Sequence, residues 1–190
     1  MNLLFVADPL HTFKIYKDTT FAMMREAQRR GHTVYACEPQ DITWLSGGKV
    51  QASVRQIRLT GASDSWFEEM SCHAQALHTM DAIVMRKDPP FDSEYFYATH
   101  LLEQAEREGA RVFNKPRALR DHPEKLAILE FANFISPTLV TRDAQAIRDF
   151  HAEHRDIILK PLDGMGGMGI FRVKDDALNL GGIIETLNRD

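Results

Sequence analysis

The feature that most constrains this chain is a lysine followed by a glycine-rich loop between two apolar runs, in residues 157–173 (IILKPLDGMGGMGIFRV). The first run ends at Lys160, four glycines follow within residues 164–169, and the second run begins at Ile170. Glycines allow backbone N–H groups to approach an anion closely, and a lysine adds a positive point charge. The segment therefore predicts two strands joined by a loop that holds the phosphates of a nucleotide triphosphate.

Other glycine-loop motifs fit this segment less well. Gly164, Gly166 and Gly169 have the spacing of the dinucleotide fingerprint, but that motif requires a helix after the loop. Residues 170–173 (IFRV) are β-branched or aromatic and favour a strand instead. The Walker P-loop pattern is absent, and in protein kinases the lysine follows the glycines, whereas Lys160 precedes them. An ordinary hairpin with a glycine-rich turn is the remaining alternative.

Composition excludes several classes of protein. The chain has 190 residues and a net charge of −4, with 44% hydrophobic and 26% charged residues, as in ordinary globular proteins. The charge gives no reason to expect nucleic-acid binding, and the apolar runs are too short to span a bilayer. Cys37 and Cys72 have no metal-binding or redox spacing, so we expect core or half-buried thiols. We therefore expect a cytoplasmic protein that binds neither nucleic acid nor membranes.

The N-terminal part of the chain alternates between strand and helix patterns, which predicts an α/β fold with an open, mostly parallel sheet. Helices are expected after Asp18 and after Asp92 or Ser93, with glycine stops at Gly31 and Gly109. Strands are expected at residues 3–7, 33–37, 50–59, 82–85 and 111–113, the third of them in a hairpin.

The pattern changes near Pro123, which favours a new helix just after it. We place a domain boundary here, between residues 1–122 and 123–190. The second unit is expected to contain a strand at 138–141, a helix capped by Asp143, the lysine–glycine hairpin and a helix within 178–187. It is small for an independent core, so we expect a partner lobe outside this sequence, or a chain that is a fragment.

Two more cationic residues are candidate ligand-binding groups. Arg86 follows a buried strand, within residues 85–92 (MRKDPPFD), and its planar fork fits a carboxylate. The alternative is an Arg–Asp pair in a surface loop.

Lys125 follows Pro123 in a first helical turn, where a lysine is unfavourable for the helix dipole unless an anion lies nearby. The alternative is a solvated surface lysine. Asp8, at the same sheet edge as Arg86, is interpreted as part of a turn.

No metal site and no catalytic residue is assigned from the residue patterns. His151 and His154 lie three residues apart on a predicted helix, but no Cys, Asp or Glu pattern completes a metal site. We interpret them as part of a solvated helix face. No Ser/His/Asp or Cys/His arrangement is identifiable.

The segments introduced above resemble one protein family. The chain is similar to the N-terminal portion of bacterial glutathione synthetase, a family of ATP-grasp ligases, over nearly its whole length. The lysine–glycine loop and the RKDPP segment are together highly specific for that family. The pieces that carry the resemblance, in family order, are Asp8-Pro9, residues 21–23, 26–31, 85–92 and 114–116, Glu124-Lys125 and residues 157–167.

The resemblance implies an α/β pre-ATP-grasp domain at 1–122 and the first, incomplete part of an ATP-grasp domain at 123–190. It implies ATP-dependent joining of γ-glutamylcysteine and glycine through an acyl phosphate, with Mg²⁺ ligands beyond Asp190 and a possible homo-oligomer. Arg86 would grip the dipeptide. Met168-Gly169 departs from the family pattern, and the added glycine is expected to loosen the loop. The ATP-binding residues it implies are Lys125, Lys160, Gly164, Met165, Gly166 and Gly167.

Two alternatives remain open beside an inactive fragment of such a ligase. The chain could be a non-catalytic binding or assembly module from a truncated gene. It could also belong to another ATP-grasp carboxylate–amine ligase, such as a peptide or D-alanine ligase, although the RKDPP segment counts against this.

Overall fold

The computed structural model describes residues 1–188 and separates into two compact units, Met1–Asp121 and His122–Asp190. The interpretation of these units as a substrate-binding and an ATP-grasp domain stays a prediction. Within residues 1–188, every helix is too short or too polar to cross a membrane.

The first unit is built on a seven-stranded sheet with the strand order β3-β4-β2-β1-β6-β7, in which β5 pairs with β4. Its centre, β2-β1-β6-β7, is parallel, and β3, β4 and β5 pair antiparallel at one side. This topology confirms the α/β fold with a mostly parallel sheet. The strands are β1 (Asn2–Val6), β2 (Thr33–Cys37), β3 (Ile42–Thr43), β4 (Gln51–Leu59), β5 (Phe67–Ala76), β6 (Ala82–Met85) and β7 (Val112–Phe113).

The helices of this unit begin where short polar side chains satisfy free backbone N–H groups. Asp18 accepts a hydrogen bond from the Phe21 N–H at 2.8 Å, and Asp92 accepts one from the Tyr95 N–H at 2.9 Å. Gly31 follows the first helix at a φ of +75°, a conformation that side chains disfavour. The helices are α1 (Thr19–Arg29), α2 (Ser93–Arg107) and α3 (Pro116–Asp121), with 3-10 turns at Leu10–Thr12, Pro39–Asp41 and Leu77–Thr79.

The core of the first unit lies on both faces of the sheet. Leu4 and Val6 of β1 belong to a cluster with residues of α2 such as Leu102, whereas Phe5 belongs to a second cluster with Met24 of α1. Side chains alternate across a strand, so β1 is buried on both sides and its carboxyl end is held rigidly.

Among residues 122–188, the second unit consists of five helices and strands around a small core. Asp143 caps α4 by accepting hydrogen bonds from two backbone N–H groups, and the strands of the hairpin pair antiparallel. The buried core residues are Ile157, Val173, Leu180 and Ile184. The elements are a 3-10 helix (Ala127–Phe134), α4 (Ala144–His154), β8 (Ile157–Leu159), β9 (Phe171–Val173) and α5 (Leu180–Asn188).

Two predicted elements of the second unit are wrong. Residues 138–141 form no strand: Leu139 and Val140 are exposed, and no strand of residues 1–188 pairs with them. The regular helix expected after Pro123 is replaced by a turn and the 3-10 helix, in which the backbone of Phe131 leaves helical values. A strand needs a hydrogen-bonding neighbour, which a sequence pattern alone does not supply.

Side-chain burial also corrects two interpretations. Cys37 is buried, and burial raises the pKa of its thiol, but Cys72 lies exposed on β5. His151 is buried rather than solvated, and its Nε2 lies 2.7 Å from the Lys174 carbonyl oxygen. His151 therefore joins α4 to the segment after β9, whereas His154 packs against Phe150.

Candidate functional site

The first candidate site is the loop that joins β8 and β9. The two strands pair from Ile157–Val173 to Leu159–Phe171, so the loop spans residues 160–170. Ile157 and Val173 are buried and fix the base of the hairpin. Lys160 is the first residue after β8 and is exposed, so its ammonium group is available to an anion.

The glycines of the loop are required for two physical reasons. Gly166, Gly167 and Gly169 have φ values of +61°, +84° and +68°, which L-residues with side chains rarely adopt. Gly164 instead allows close packing, because a Cβ there would lie 2.9 Å from Pro161 Cγ. These glycines shape a turn that exposes backbone, as the sequence predicted.

Gly169 has a steric role that the sequence did not indicate. An added Cβ at Gly169 would meet the Pro161 ring at 3.2 and 3.3 Å, and its φ is positive. Gly169 therefore helps to define the path of the loop, and the loosening expected from this added glycine stays a prediction. The loop also folds on itself, since the Met168 N–H donates to the Met165 carbonyl at 3.0 Å.

Lys125 and the glycine loop come together within the second unit. The Lys125 ammonium donates to the Gly164 carbonyl oxygen at 2.5 Å, and its side chain is only 13% exposed. The Lys125 ammonium also lies 3.6 Å from a carboxylate oxygen of Glu124. A mostly buried ammonium bound to the glycine loop adds positive charge beside the backbone of that loop. The solvated-surface alternative for Lys125 therefore does not describe this side chain.

The second candidate site is the carboxyl end of β6, in the first unit. The Arg86 N–H donates to the Val6 carbonyl at 2.7 Å, which continues the pairing of β6 with β1. The Arg86 guanidinium donates from Nε to the Thr20 hydroxyl at 3.1 Å and from Nη2 to the Thr19 hydroxyl at 2.8 Å. Among residues 1–188, no salt bridge joins Arg86 to an aspartate, and its guanidinium is bonded to the two hydroxyls instead.

Asp8, at the end of β1, binds the neighbour of Arg86 instead. Its carboxylate lies 2.7 Å from the Lys87 ammonium and accepts a hydrogen bond from the Asp88 N–H at 2.8 Å. Sequence reasoning placed Asp8 at this sheet edge but interpreted it as part of a turn. It did not link Thr19 and Thr20 to Arg86, because a helix start and a strand end far apart in sequence show no pattern that connects them.

The electrostatics of this edge are mixed. Burial raises the pKa of the Asp88 carboxyl, and the negative charges of Asp8 and Asp18 raise it further. Burial also raises the pKa of Tyr95. The edge therefore combines a guanidinium with carboxylates, which suits a small molecule that carries both signs of charge.

Side chains that could bind a metal ion are not grouped together among the described residues. Among residues 1–188, no group of three or more His, Cys, Asp or Glu side chains could hold a metal ion. The described residues therefore do not fit a Mg²⁺ site, and no chemical step is assigned to a metal here. The lysines and the glycine loop do fit the phosphates of ATP in charge and in exposed backbone.

Comparison with known proteins gives the family. The profile of the prokaryotic glutathione synthetase N-terminal domain matches residues 1–120, and that of the prokaryotic glutathione synthetase ATP-grasp domain matches residues 124–190. The chain belongs to the prokaryotic glutathione synthetase family. The family resemblance drawn from the motifs is thereby confirmed.

Curated relatives agree with this assignment. The chain is 57% identical to a glutathione synthetase of Ralstonia nicotianae over 190 residues, which is 100% of this chain and 58% of the relative. It is 52% identical to a glutathione synthetase of Nitrosomonas europaea, covering 100% of this chain and 60% of the relative. The chain thus spans less than two thirds of the length of these relatives.

Solved structures support the fold alone. The crystal structure of the D-cycloserine synthetase DcsG is similar with a TM-score of 0.60 at 16% identity, over 99% of this chain and 56% of that one. The ATP-grasp ligase PsnB complexed with minimal precursor is similar with a TM-score of 0.53 at 21% identity, over 99% and 61%. These likenesses agree with an ATP-grasp architecture.

Proposed function

We propose that this chain is part of a glutathione synthetase, an ATP-dependent ligase that joins γ-glutamylcysteine and glycine. The observation that carries the proposal is the lysine–glycine hairpin of β8 and β9, in a chain whose family profiles are those of this enzyme. Since the chain spans 58% of the Ralstonia relative, we expect it to form no glutathione by itself.

The proposed reaction has two steps. A carboxylate oxygen of γ-glutamylcysteine attacks the γ-phosphorus of ATP, the bond from that phosphorus to the bridging oxygen breaks, and ADP leaves. The amine nitrogen of glycine then attacks the acyl carbon, loses a proton and expels phosphate. The first step brings two anions together, so the protein must offset their repulsion with cations and oriented N–H groups.

Lys125 and Lys160 would supply the positive charge for the phosphates of ATP. Lys160 is exposed at the end of β8, and the Lys125 ammonium already binds the loop at the Gly164 carbonyl. The loop residues Gly164, Met165, Gly166 and Gly167 would present backbone N–H groups and close over the nucleotide. Closure would exclude water, which otherwise hydrolyses the acyl phosphate.

Arg86 would bind the dipeptide substrate at the carboxyl end of β6. Its guanidinium is held by the Thr19 and Thr20 hydroxyls and still has donors left for a carboxylate. No residue of the chain is assigned a role in bond making. Family membership implies Mg²⁺, which would neutralise phosphate charge, but its ligands are not assigned to residues of this chain.

Location and assembly belong to the same proposal. We expect a cytoplasmic enzyme with small-molecule substrates and no nucleic-acid or membrane partner. A homo-oligomer is a further expectation, and light scattering on the purified protein tests it.

A segment exchange tests the proposed activity. The part of the Ralstonia nicotianae glutathione synthetase that matches this chain is replaced by the chain itself, giving what we term the swapped ligase. With ATP, Mg²⁺, glycine and γ-glutamylcysteine labelled with ¹⁸O in its carboxyl groups, we expect glutathione, ADP and phosphate that carries one ¹⁸O atom. Label transfer reports an acyl phosphate, since the carboxyl oxygen leaves with the phosphate.

Two results would count against the proposal. One is a folded swapped ligase that binds its substrates yet forms no glutathione. The other is faster ligation of different carboxylates and amines than of γ-glutamylcysteine and glycine, which would indicate another ATP-grasp ligase. The unmodified Ralstonia enzyme serves as the positive control.

A further inference from the structure

Helix α2 exposes a cluster of aromatic rings, which we call the aromatic patch (Phe96, Tyr97 and His100). Phe96 and Tyr97 are 39% and 58% exposed, and His100 is exposed one turn further along the helix. The Phe96 ring contacts both neighbours, with ring centroids 5.9 Å from Tyr97 and 4.7 Å from His100. Contiguous exposed aromatic side chains are typical of protein–protein interfaces.

The helix that carries the aromatic patch is held firmly in its unit. On its other side, Tyr95, Leu102 and Ala105 are buried in the core. The Arg120 guanidinium of α3 donates to the buried Thr99 hydroxyl at 3.1 Å, which ties α3 to α2. The backbone of the patch is therefore ordered in the single chain, and a partner loses little binding free energy in ordering it.

The N-terminal end of α2 combines aromatic rings with carboxylates. Glu94 is exposed in the first turn, and among residues 1–188 neither an ion pair nor a side-chain hydrogen bond engages its carboxylate. Aromatic faces together with carboxylates bind a guanidinium well, through stacking and charged hydrogen bonds. This end of the helix also borders an open cleft of about 370 Å³, lined by Phe91, Asp92, Ser93, Phe96 and Tyr97.

The C-terminal end of the same helix carries the matching charge. Arg107 lies in the last turn, and its side chain is 67% exposed. One of its N–H groups donates to Glu103 at 3.0 Å. An exposed pair of this kind contributes little free energy, and a guanidinium has five N–H donors. Arg107 is therefore available to carboxylates of another molecule.

The spacing along this side of α2 is the same from either end. Ser93, Phe96, His100, Gln104 and Arg107 follow one another at intervals of three, four, four and three residues, so they form one stripe centred on His100. A second copy of α2, antiparallel across a twofold axis at His100, would bring its Arg107 level with Ser93, about 10 Å along the helix from the axis. The two helix dipoles would then oppose each other, which is favourable.

We propose that the aromatic patch is the contact of a symmetric dimer, in which α2 packs antiparallel on α2 of a second copy and each Arg107 enters the other chain's cleft beside Asp92 and Glu94. Charge complementarity selects a second copy as the partner, because the acidic cleft and the cation that fits it lie on one helix. The inference rests on the homo-oligomer expected under the proposed function, whose contact face it names, and is independent of the ligase activity.

Charge reversal tests the proposed contact. Sedimentation velocity of the 190-residue chain over a dilution series gives the Kd of the dimer. Arg107→Glu and Glu94→Arg should each raise this Kd by at least about tenfold, since each places like charges together at both ends of the interface. The chain with both changes should return to within about threefold of the original Kd, because the attraction is restored with opposite signs.

Two further measurements locate the interface. Arg58→Glu is the matched control, because Arg58 is also an exposed arginine paired with a glutamate in this unit, and it should leave the Kd unchanged. In a chain whose exposed Cys72 is replaced by serine, His100→Cys should be cross-linked rapidly to its own copy by a short bismaleimide. Glu94→Cys, at the end of the helix, should be cross-linked slowly, since its two copies lie far from the axis.

The outcomes separate this inference from the rest of the account. A chain that stays monomeric at its highest soluble concentration would overturn both the interface and the expected homo-oligomer, while the activity test of the swapped ligase would stand. A dimer whose Kd ignores both charge reversals would overturn the α2 interface alone. If a reversal variant lost its helical circular dichroism, the cross-links would decide, and equal cross-linking at positions 94 and 100 would contradict the proposal.

Discussion

At the scale of single residues, two glycines of the loop separate backbone strain from steric packing. Gly166 has a φ of +61° with no atom within 4 Å of an added Cβ, whereas Gly169 has a φ of +68° and lies against Pro161. Gly166→Ala should destabilise the second unit by about 1–2 kcal/mol, the cost of left-handed backbone. Gly169→Ala should cost more, because the proline ring must also move. Urea unfolding measures both, and equal losses would show that packing on Pro161 is unimportant.

Lys125 is expected to restrain the glycine loop before any nucleotide binds. Lys125→Met removes the donor to the Gly164 carbonyl. We expect amide hydrogens of residues 164–167 to exchange with deuterium roughly tenfold faster, since a charged hydrogen bond is lost. Lys174→Met, at an exposed lysine of the same unit, is the control. Unchanged exchange in the Lys125 variant would mean that this contact does not hold the loop.

At the scale of elements, helix α1 contains a charge cluster that links its stability to pH. The Glu26 carboxylate binds Arg29 and Arg30, each at 2.7 Å, and these hydrogen bonds lower the pKa of Glu26 from 4.5 to about 2. A carboxyl with a lowered pKa stabilises the folded protein above pH 4.5 and loses that contribution as the pH falls toward 2. Glu26 is fully exposed, so salt should weaken the effect.

The measurement is an acid titration of two proteins. Unfolding midpoints of the wild type and of Glu26→Gln are compared between pH 6 and pH 2. The two curves should approach each other at low pH, because only the wild type loses the carboxylate. Parallel curves, or a Glu26 carboxyl resonance that titrates near pH 4.5, would show that the cluster does not form in solution.

The elements predictable from sequence were those with a local signal. Asp18 and Asp92 each precede an apolar helical face, and both cap helices in the structure. Strand β5 was not predicted, because residues 68–74 are exposed on both faces and show no alternation. The strand expected at 138–141 was wrong because its apolar residues find no neighbouring strand within residues 1–188. In both cases, pairing with a neighbouring strand determined whether the segment formed a strand.

At the scale of the whole molecule, the two units differ in the size of their cores. Both large clusters of buried side chains lie within Met1–Asp121, whereas the core of the second unit consists of the four buried residues named above. We expect residues 1–121, expressed alone, to unfold cooperatively in urea. Residues 122–190 alone should be marginal, because a small unit buries too little apolar surface. A non-cooperative transition for residues 1–121 would show that its core is not self-sufficient.

The candidate site was predictable only where its residues are close in sequence. The lysine–glycine hairpin can be identified from residues 157–173 because strand, lysine and loop are consecutive. The contact of Lys125 with Gly164, and those of Arg86 with Thr19 and Thr20, join residues that are 39 to 67 positions apart. Such contacts form only when the chain has folded, so no local sequence pattern predicts them.

The most direct test of the account is the effect of Lys160→Ala on the swapped ligase. Removing this ammonium should lower kcat/KM for ATP by at least about tenfold, since a charged contact to the phosphates is lost. Lys174→Ala should leave it unchanged. A Lys160→Ala enzyme with kcat/KM for ATP within twofold of the unmodified swapped ligase would contradict the claim that the lysine–glycine hairpin binds the nucleotide.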